Sequence, residues 1–378
     1  MRVLFLSGSA PPVKCGVGDY TTCLSRALAA TGDASVALLT SLASERMYLQ
    51  GPLTGVDLLP PVTQWSLHEF TTVHRHILRW APDLLHVQWP TQNPGRLLAV
   101  ALAHWFRYCY RKPVVITLHE HIPPRMRWEL LLTRAANAVV SVRPDFQAGF
   151  AQGLSKTAAS KPFHFIPNAP SIPYTQRTHD SVAAVRKMFA IAPTKSLVAY
   201  FGLLYPSRGV ELLFQIADPL KHHLVIIGTA LEDTRDYHSR LVALADTPRW
   251  RASTTFTGFL PDHEAATLLA CAEAVVLPFR AGGGIWNTSI HSARLQETFV
   301  LTTSRSRQGY DYERNTYWAR PDDIEDMKAA LHSHIGVRRT GTGSDIPSWQ
   351  QVAERHWDLY ACLLGRRQKI NLGKYSEL

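Results

Sequence analysis

The sequence predicts an α/β protein built as two doubly wound domains, and three observations predict it. Short runs of β-branched and apolar residues alternate with helix-period stretches along the whole chain. Most of those runs are apolar on both faces, as parallel strands covered by helices on each side must be. The alternation is completed twice, on either side of a proline-rich break, Pro167-Asn168-Ala169-Pro170-Ser171-Ile172-Pro173. A chain of 378 residues that is 46% apolar suits two cores better than one. The expected divisions are 1–175, 176–345 and 346–378, with the first boundary at 172–180.

In the first half the expected strands are Arg2–Leu6, Ser35–Leu39, Leu84–Gln88, Val114–Leu118, Ala138–Val142 and Phe163–Ile166. In the second they are Leu197–Phe201, Leu224–Ile227, Thr254–Thr257, Ala274–Pro278 and Phe299–Thr303. Helical patterns fall between them at 19–30, 67–80, 96–110, 125–136, 209–217, 262–271, 288–296 and 323–333. A last helix, Trp349–Leu364, carries apolar positions at Trp349, Val352, Ala353, Leu359, Tyr360 and Leu363, and a basic tail follows it. Two-domain α/β proteins of this kind are expected to take ligands in a cleft, at the carboxyl ends of their strands.

The formal charge of +10 has a location. Residues 1–175 hold 16 Lys/Arg against 9 Asp/Glu, residues 176–365 hold 20 of each, and the tail from Arg366 holds 4 against 1. Such a field on the first half suits an anionic partner: a membrane surface, a nucleic acid or a phosphorylated substrate. The basic residues are not interleaved into a nucleic-acid motif, so no nucleic acid is expected. Five scattered cysteines without a CxxC pair fit neither a disulfide framework nor a zinc cluster. No apolar run reaches membrane-spanning length, and Val3–Leu6 is too short for a signal-peptide core, so a cytoplasmic location is expected.

Four strand-end segments carry candidate chemistry. After the first strand, Ser7 to Tyr20 forms a long loop containing Gly16, Val17 and Gly18 ahead of a helix that opens with Asp19 and Tyr20. Glycines there let a ligand approach the backbone, and helix-start N–H groups favour an anion, although the spacing is not a GxGxxG dinucleotide motif. Thr117-Leu118-His119-Glu120-His121 ends a buried strand, with His119 able to donate to a phosphate or sugar hydroxyl and Glu120 to accept from one; a purely structural His119 is the alternative. The i, i+2 spacing of His119 and His121 suits neither a helical nor a finger-type zinc site, so no metal is expected. Gln88 and Trp89 sit at the end of another strand by the same logic.

In the second half, Phe201-Gly202-Leu203-Leu204-Tyr205-Pro206-Ser207-Arg208-Gly209 places Arg208 just before an expected helix, where guanidinium and helix start both favour a diphosphate. Gly228, after the strand Leu224–Ile227, is counted with this set. Gly282-Gly283-Gly284-Ile285-Trp286-Asn287-Thr288-Ser289 follows the strand Ala274–Pro278. Three glycines and an Asn-Thr-Ser helix start predict an anion-accepting backbone nest made with Asn287, Thr288 and Ser289.

These segments together resemble the retaining GT-B glycosyltransferases of glycosyltransferase family 4. The likeness rests on Pro11-Pro12…Cys15-Gly16-Val17-Gly18-Asp19-Tyr20-Thr21, Asp83-Leu84-Leu85-His86-Val87-Gln88, Thr117-Leu118-His119-Glu120 and Ile166-Pro167-Asn168. It continues through Phe201-Gly202…Arg208-Gly209, Thr257-Gly258-Phe259-Leu260-Pro261, Ala274–Phe279 and the closing Trp349…Tyr360 helix. Each piece is short; their order along nearly the whole chain carries the resemblance. It implies two Rossmann-like domains facing a cleft: an acceptor domain (1–175), a nucleotide-sugar donor domain (176–345) and a helix and tail (346–378) that cross back to the first. It implies retaining, metal-independent hexosyl transfer without a bound cofactor, a nucleotide sugar such as a UDP- or GDP-sugar serving as co-substrate.

By the same resemblance, His119, Glu120 and Arg208 are the catalytic candidates. Gly16, Val17, Gly18, Gly202, Arg208, Gly209, Gly228, Gly283, Gly284, Asn287, Thr288 and Ser289 bind the donor and its phosphates. Asp19, Tyr20, Gln88 and Trp89 lie on the acceptor side. Two departures stand out. The family's Gly-Arg pair reads Gly202-Leu203, and its Glu-x7-Glu pair falls on Gly284 and Ser292, so this is a variant donor site; Glu297 is not assigned as a replacement.

The expected acceptor is a saccharide or a lipid-linked intermediate of polysaccharide biosynthesis. Basic amphipathic stretches at 67–80, 97–110 and 125–134 suggest peripheral association with an anionic membrane, ordinary core-facing helices being the alternative. Two other functions are weighed: a catalytically reduced scaffold or partner subunit, which the missing carboxylates motivate, and a sugar-nucleotide epimerase or hydrolase in the same cleft, which would need a catalytic carboxylate set not found in the sequence.

Overall fold

A computed structural model describes residues 1–41, 54–90, 96–120, 127–144 and 161–367, with 127–130 described by their backbone alone. The chain forms two compact units, Met1–Asn168 with the segment from Ser348, and Ala169–Pro347.

The first unit holds, among the described residues, a seven-stranded sheet in the order β3-β2-β1-β4-β5-β6-β7. Its strands are β1 Arg2–Leu6, β2 Ser35–Leu39, β3 Val56–Leu58, β4 Leu84–Trp89, β5 Val114–Leu118, β6 Ala138–Ser141 and β7 Phe163–Phe165. The described pairings are parallel, with Leu6 opposite Leu39 on one side and Val87 on the other. Helices α1 Gly16–Ala30, α2 Phe70–Trp80, α3 Arg96–His104 and α4 Arg127–Ala135 accompany it. Leu4, Leu6, Leu85, Val87, Ile116 and Phe106 are fully buried in one cluster. Each such side chain contributes roughly 1.5–3 kcal/mol by leaving water. The chain turns back between β1 and β4, so the carboxyl ends of these two strands flank a topological switch point.

The second unit repeats the plan in the order β10-β9-β8-β11-β12-β14-β13. Here β8 is Ser196–Phe201, β9 His222–Ile227, β10 Thr254–Gly258, β11 Ala274–Leu277, β12 Val300–Thr303, β13 Gly309–Asp311 and β14 Thr316–Ala319. Only β13 runs antiparallel, against β14. The helices are α5 His179–Met188, α6 Leu213–Ile216, α7 Arg235–Ala245, α8 Asp262–Cys271, α9 Thr288–Leu295 and α10 Ile324–His334. The switch point lies between β8 and β11. The last helix, α11 Trp349–Leu363, belongs to the first unit and packs on α1. A capping box between Ser348 and Gln351 fixes its start.

Several expectations need correction. The unit boundary falls after Asn168, ahead of the expected 172–180, because Ile172 is buried in the second core and Gln296 bonds both the Thr175 amide (2.8 Å) and the Pro173 carbonyl (2.8 Å). The second unit also ends at Pro347 rather than 345. The polar stretch after the break contains α5, opened by a capping box between Thr178 and Ser181. The helix expected at 209–217 is a 3-10 turn, Val210–Leu212, running into the single turn α6. The helix expected through 110 ends as α at His104 and continues as a π-turn, Trp105–Cys109. Strands β3, β13 and β14 and helix α7 are additions to the sequence reading.

Candidate active site

At the first unit's switch point, α1 begins directly at Gly16, with Cys15 extended before it and no side-chain cap. The first backbone donor bonded at this end is Asp19 N–H, to Cys15 O at 2.9 Å. The amides of Gly16, Val17 and Gly18 therefore remain available, which is the anion-favouring geometry expected of them. The two glycines differ in purpose. A Cβ on Gly18 would lie 2.9 Å from Ser9 O and 3.1 Å from Ala10 Cα, so this glycine lets the loop fold onto the helix; a Cβ on Gly16 would meet nothing within 4 Å. Asp19 is exposed in the first turn of α1.

The polar residues expected on the acceptor side are mostly interior. Trp89 and Tyr20 are 2% and 4% exposed, and Gln88 is fully buried. Tyr20 directs its hydroxyl at His356 Nε2 (3.4 Å) and sets its ring edge against His119 (4.6 Å) and Trp349 (5.2 Å). Burial raises its pKa far above the usual phenol range, so it stays a hydrogen-bond donor. These three residues support the site from within instead of contacting an acceptor, because β4 is buried throughout its length and α11 covers Tyr20.

His119 is half-buried, its backbone N–H held by Trp89 O at 3.0 Å. Burial, with the charge of His356 second, pushes its pKa down to about 3, so the ring is neutral at physiological pH. Its Nε2 lies 2.9 Å from Gln88 Oε1, a partner that only accepts. The Nε2–H is thus committed, and Nδ1 presents a lone pair. His119 is built to accept from a hydroxyl, opposite to the donor role the sequence suggested. Glu120 is exposed and makes no hydrogen bond or ion pair with a described residue. His121 lies outside the described residues.

Behind His119 lies a buried polar cluster that the sequence reading missed. His86 Nδ1 lies 2.5 Å from Tyr360 Oη and its Nε2 lies 2.7 Å from Thr117 Oγ1. His356 donates Nδ1–H to Val352 O at 2.8 Å and so accepts from Tyr20. Burial pushes His356 to about 4 and His86 well below the usual imidazole value. Two signals were available: His86 shares a strand face with Gln88, and His356 and Tyr360 share a helix face.

At the second unit's switch point, most of the expected glycine donors are already used. Gly282 N–H bonds Phe279 O (3.0 Å), Gly283 N–H bonds Thr303 O (2.6 Å) and Gly284 N–H bonds Asn287 Oδ1 (2.9 Å). The triple glycine is therefore no anion nest, since its amides close the loop on itself and on β12. Trp286 lies across Gly284, where a Cβ would come within 2.3 Å of its ring. Gly228 serves packing too, for its Cβ would fall 1.9 Å from Gly202 O. Gly209 caps the 3-10 turn Pro206–Arg208 in the left-handed region (φ 66°), beneath Pro278 O. Ser292 is fully buried, and Glu297 accepts from Gly341 N–H, a structural use.

What stays open to a ligand here is smaller and sharper. Asn287 caps α9 without a side-chain bond into the helix, so the Thr288 and Ser289 amides and hydroxyls remain available, half-buried. His291 braces this end from below, Nε2–H to Ile285 O at 2.6 Å, and burial lowers its pKa to about 4. Arg208 lies half-buried with its guanidinium 5.0 Å from the Phe279 ring centroid and has no ion pair with a described residue. The neighbouring Arg280 is neutralised by Glu211 and Asp322.

Residues 15–169 match the family model described as Glycosyltransferase Family 4. HepE from Anabaena, solved with UDP and glucose, superposes with a TM-score of 0.75 at 16% identity, covering 96% of this chain and 99% of its own. Residues 15–169 are thus similar to that family, and the whole chain has the GT-B fold. Sucrose-phosphate synthase from Thermosynechococcus elongatus is similar over 97% of this chain and 100% of its own, with a TM-score of 0.74 and 16% identity. WaaG, a glycosyltransferase involved in lipopolysaccharide biosynthesis, covers 98% of this chain and 100% of its own, with a TM-score of 0.60 and 17% identity. No curated protein matches the sequence. Within this GT-B chain, the family 4 match runs from the cap of α1 to the boundary between the units and does not include the segment from Ser348.

Proposed function

We propose that this GT-B protein transfers a sugar from a nucleotide-sugar donor, with retention and without a metal, and that its second unit holds the donor. Arg208 carries the reading: it is an unneutralised guanidinium at the β8/β11 switch point, where α9 also offers open amides. As the bond from sugar to phosphate loosens, negative charge grows on the leaving diphosphate. Arg208, with the Thr288 and Ser289 amides, is arranged to stabilise that charge, the contribution that is usually largest. HepE, a protein of the same fold, binds UDP-glucose, which supports a nucleotide sugar as donor here.

With Gly284 and Ser292 in place of the family's carboxylates, donor-sugar hydroxyls would meet Asn287, Thr288 and Ser289, all neutral. In the first unit the His119 Nδ1 lone pair accepts from a sugar hydroxyl, and the open amides of Gly16 to Gly18 face an anion. The test is binding of UDP-, GDP- and ADP-sugars followed by donor turnover, with Arg208→Ala alongside. Loss of about 1.5–3 kcal/mol of diphosphate affinity in the variant is expected for a charge-assisted bond; unchanged binding refutes the assignment.

The acceptor is proposed to be lipid-linked and presented at an anionic membrane. Leu67 and Leu78 are 51% and 42% exposed and lie about three turns apart on one side of the helical run 67–80, where Arg75 and Arg79 are also exposed. Leu97 and Tyr108 are 43% and 58% exposed in the adjacent α3 and π-turn. No described helix is long and apolar enough to cross a membrane. Flotation with anionic vesicles at low salt, reduced by Arg75→Glu/Arg79→Glu, is the expected result; no flotation removes the membrane from the reading.

A further inference from the structure

Two loops flank the second unit's switch point, one after β8 and one after β11. Four contacts join them. Arg280 N–H donates to Ser207 O at 3.1 Å. Gly209 lies so close under Pro278 that a Cβ would be 2.3 Å from its carbonyl oxygen. Arg208 lies over Phe279. Finally Glu211, in the 3-10 turn after Gly209, accepts from Arg280 through Nε at 3.1 Å and again through an Nη. The other Glu211 oxygen accepts from Tyr237 Oη, which stands on α7.

We propose that Glu211 is the positioning residue of the donor-phosphate site: by holding Arg280 and Tyr237 at once, it joins the two loops and fixes Arg208 where it meets the diphosphate. This rests on the donor-site reading above. Glu211, together with Asp322, also neutralises Arg280 of the β11 loop, which leaves Arg208 of the β8 loop as the cation of this pair without a carboxylate beside it. Although burial alone would raise its pKa, the bonds from Tyr237 and Arg280 hold it below the usual carboxylate value, so the clamp is ionised at neutral pH. A half-buried carboxylate held by three hydrogen bonds is a costly thing to place at a loop junction unless the junction needs a single geometry.

The experiment is a double-mutant cycle read by calorimetric titration of the full chain with UDP, GDP and ADP. Glu211→Gln keeps the side chain's shape and removes the charge, and Glu211→Ala removes both; thermal melting confirms that each variant is folded. In the wild-type background, Glu211→Gln is expected to weaken nucleoside-diphosphate binding roughly tenfold, the scale of one charge-assisted hydrogen bond. In the Arg208→Ala background the same change is expected to cost less than about twofold, because Glu211 acts through Arg208. A purely structural role would instead cost the same in both backgrounds. Equal or tighter binding by Glu211→Gln, or equal losses in the two backgrounds, overturns the positioning role alone. If the wild-type chain binds none of the three nucleotides, the donor-site reading falls and takes this inference with it.

Discussion

Three neutral histidines in one buried cluster make the docking of α11 sensitive to acid. His119 and His356 have pKa values near 3 and 4, and His86 is also depressed, against about 6.5 in an unfolded chain. A depressed histidine contributes its full stability above pH 6.5 and loses it as pH falls, because the unfolded state takes the proton first. At pH 5 each of His119 and His356 costs about 2 kcal/mol relative to pH 8, from 1.5 pH units at about 1.4 kcal/mol per unit. Such a pair removes a large part of an ordinary domain's 5–15 kcal/mol margin.

The local assay is hydrogen exchange of peptides spanning Trp349–Leu363 between pH 8 and 5, corrected for intrinsic exchange. The comparison is His356→Gln, which keeps a polar group opposite Tyr20 and does not titrate. Protection is expected to fall by about 2 kcal/mol less in the variant than in the wild type, the share of His356, with His119 and His86 still titrating in both. Burial keeps Tyr20 and Tyr360 protonated throughout, and the two proteins differ only at the histidine, so the difference belongs to it. The same acid loss in both proteins would refute the reasoning.

Three further outcomes follow from the geometry. Gly228→Ala should destabilise the second unit by several kcal/mol, measured by urea denaturation, because its Cβ would overlap Gly202 O at 1.9 Å and its φ of 151° is strained for an L-residue. Gly18→Ala should lower the melting temperature while Gly16→Ala leaves it within about 0.5 kcal/mol of wild type, since only the former meets backbone atoms. Gln88→Leu should leave His119 without a partner for Nε2–H, raising the donor KM or lowering kcat, with a tautomer change visible in its ring nitrogen shifts.

Much of the fold was legible because parallel strands buried on both faces write themselves as unbroken apolar runs. Val3–Leu6, Val114–Leu118 and Ala274–Leu277 have nothing exposed to interrupt them. The missed elements have the opposite character. β3 is three residues with an exposed Asp57, β13 and β14 form a hairpin at the far edge of their sheet, and α5 and α7 each have few buried positions. Edges and outer helices bury little, so their sequences carry little periodicity. The Thr178-x-x-Ser181 box was present in the sequence all the same, and reading it would have found α5.

The site was legible in place and misread in part, for one physical reason. Glycine in a strand-end loop marks a close approach to the backbone, and sequence alone does not say what approaches. At Gly18, Gly228 and Gly284 the close neighbour is the protein itself: Ser9, Gly202 and Trp286. At Gly16 it is not, and the space beside it stays open. Charge has the same ambiguity. Arg208 and Arg280 flank one switch point with equal formal charge, yet Glu211 and Asp322 neutralise only Arg280. The balanced 20 against 20 count over residues 176–365 therefore conceals an uneven arrangement at this switch point, where Arg280 is paired with carboxylates and Arg208 is not. On the donor-site proposal, diphosphate affinity in this unit would come from that local imbalance and from the start of α9, not from a net field. It follows that removing Arg208 should abolish most of the salt dependence of nucleotide binding, whereas removing a surface lysine such as Lys187 should leave it intact.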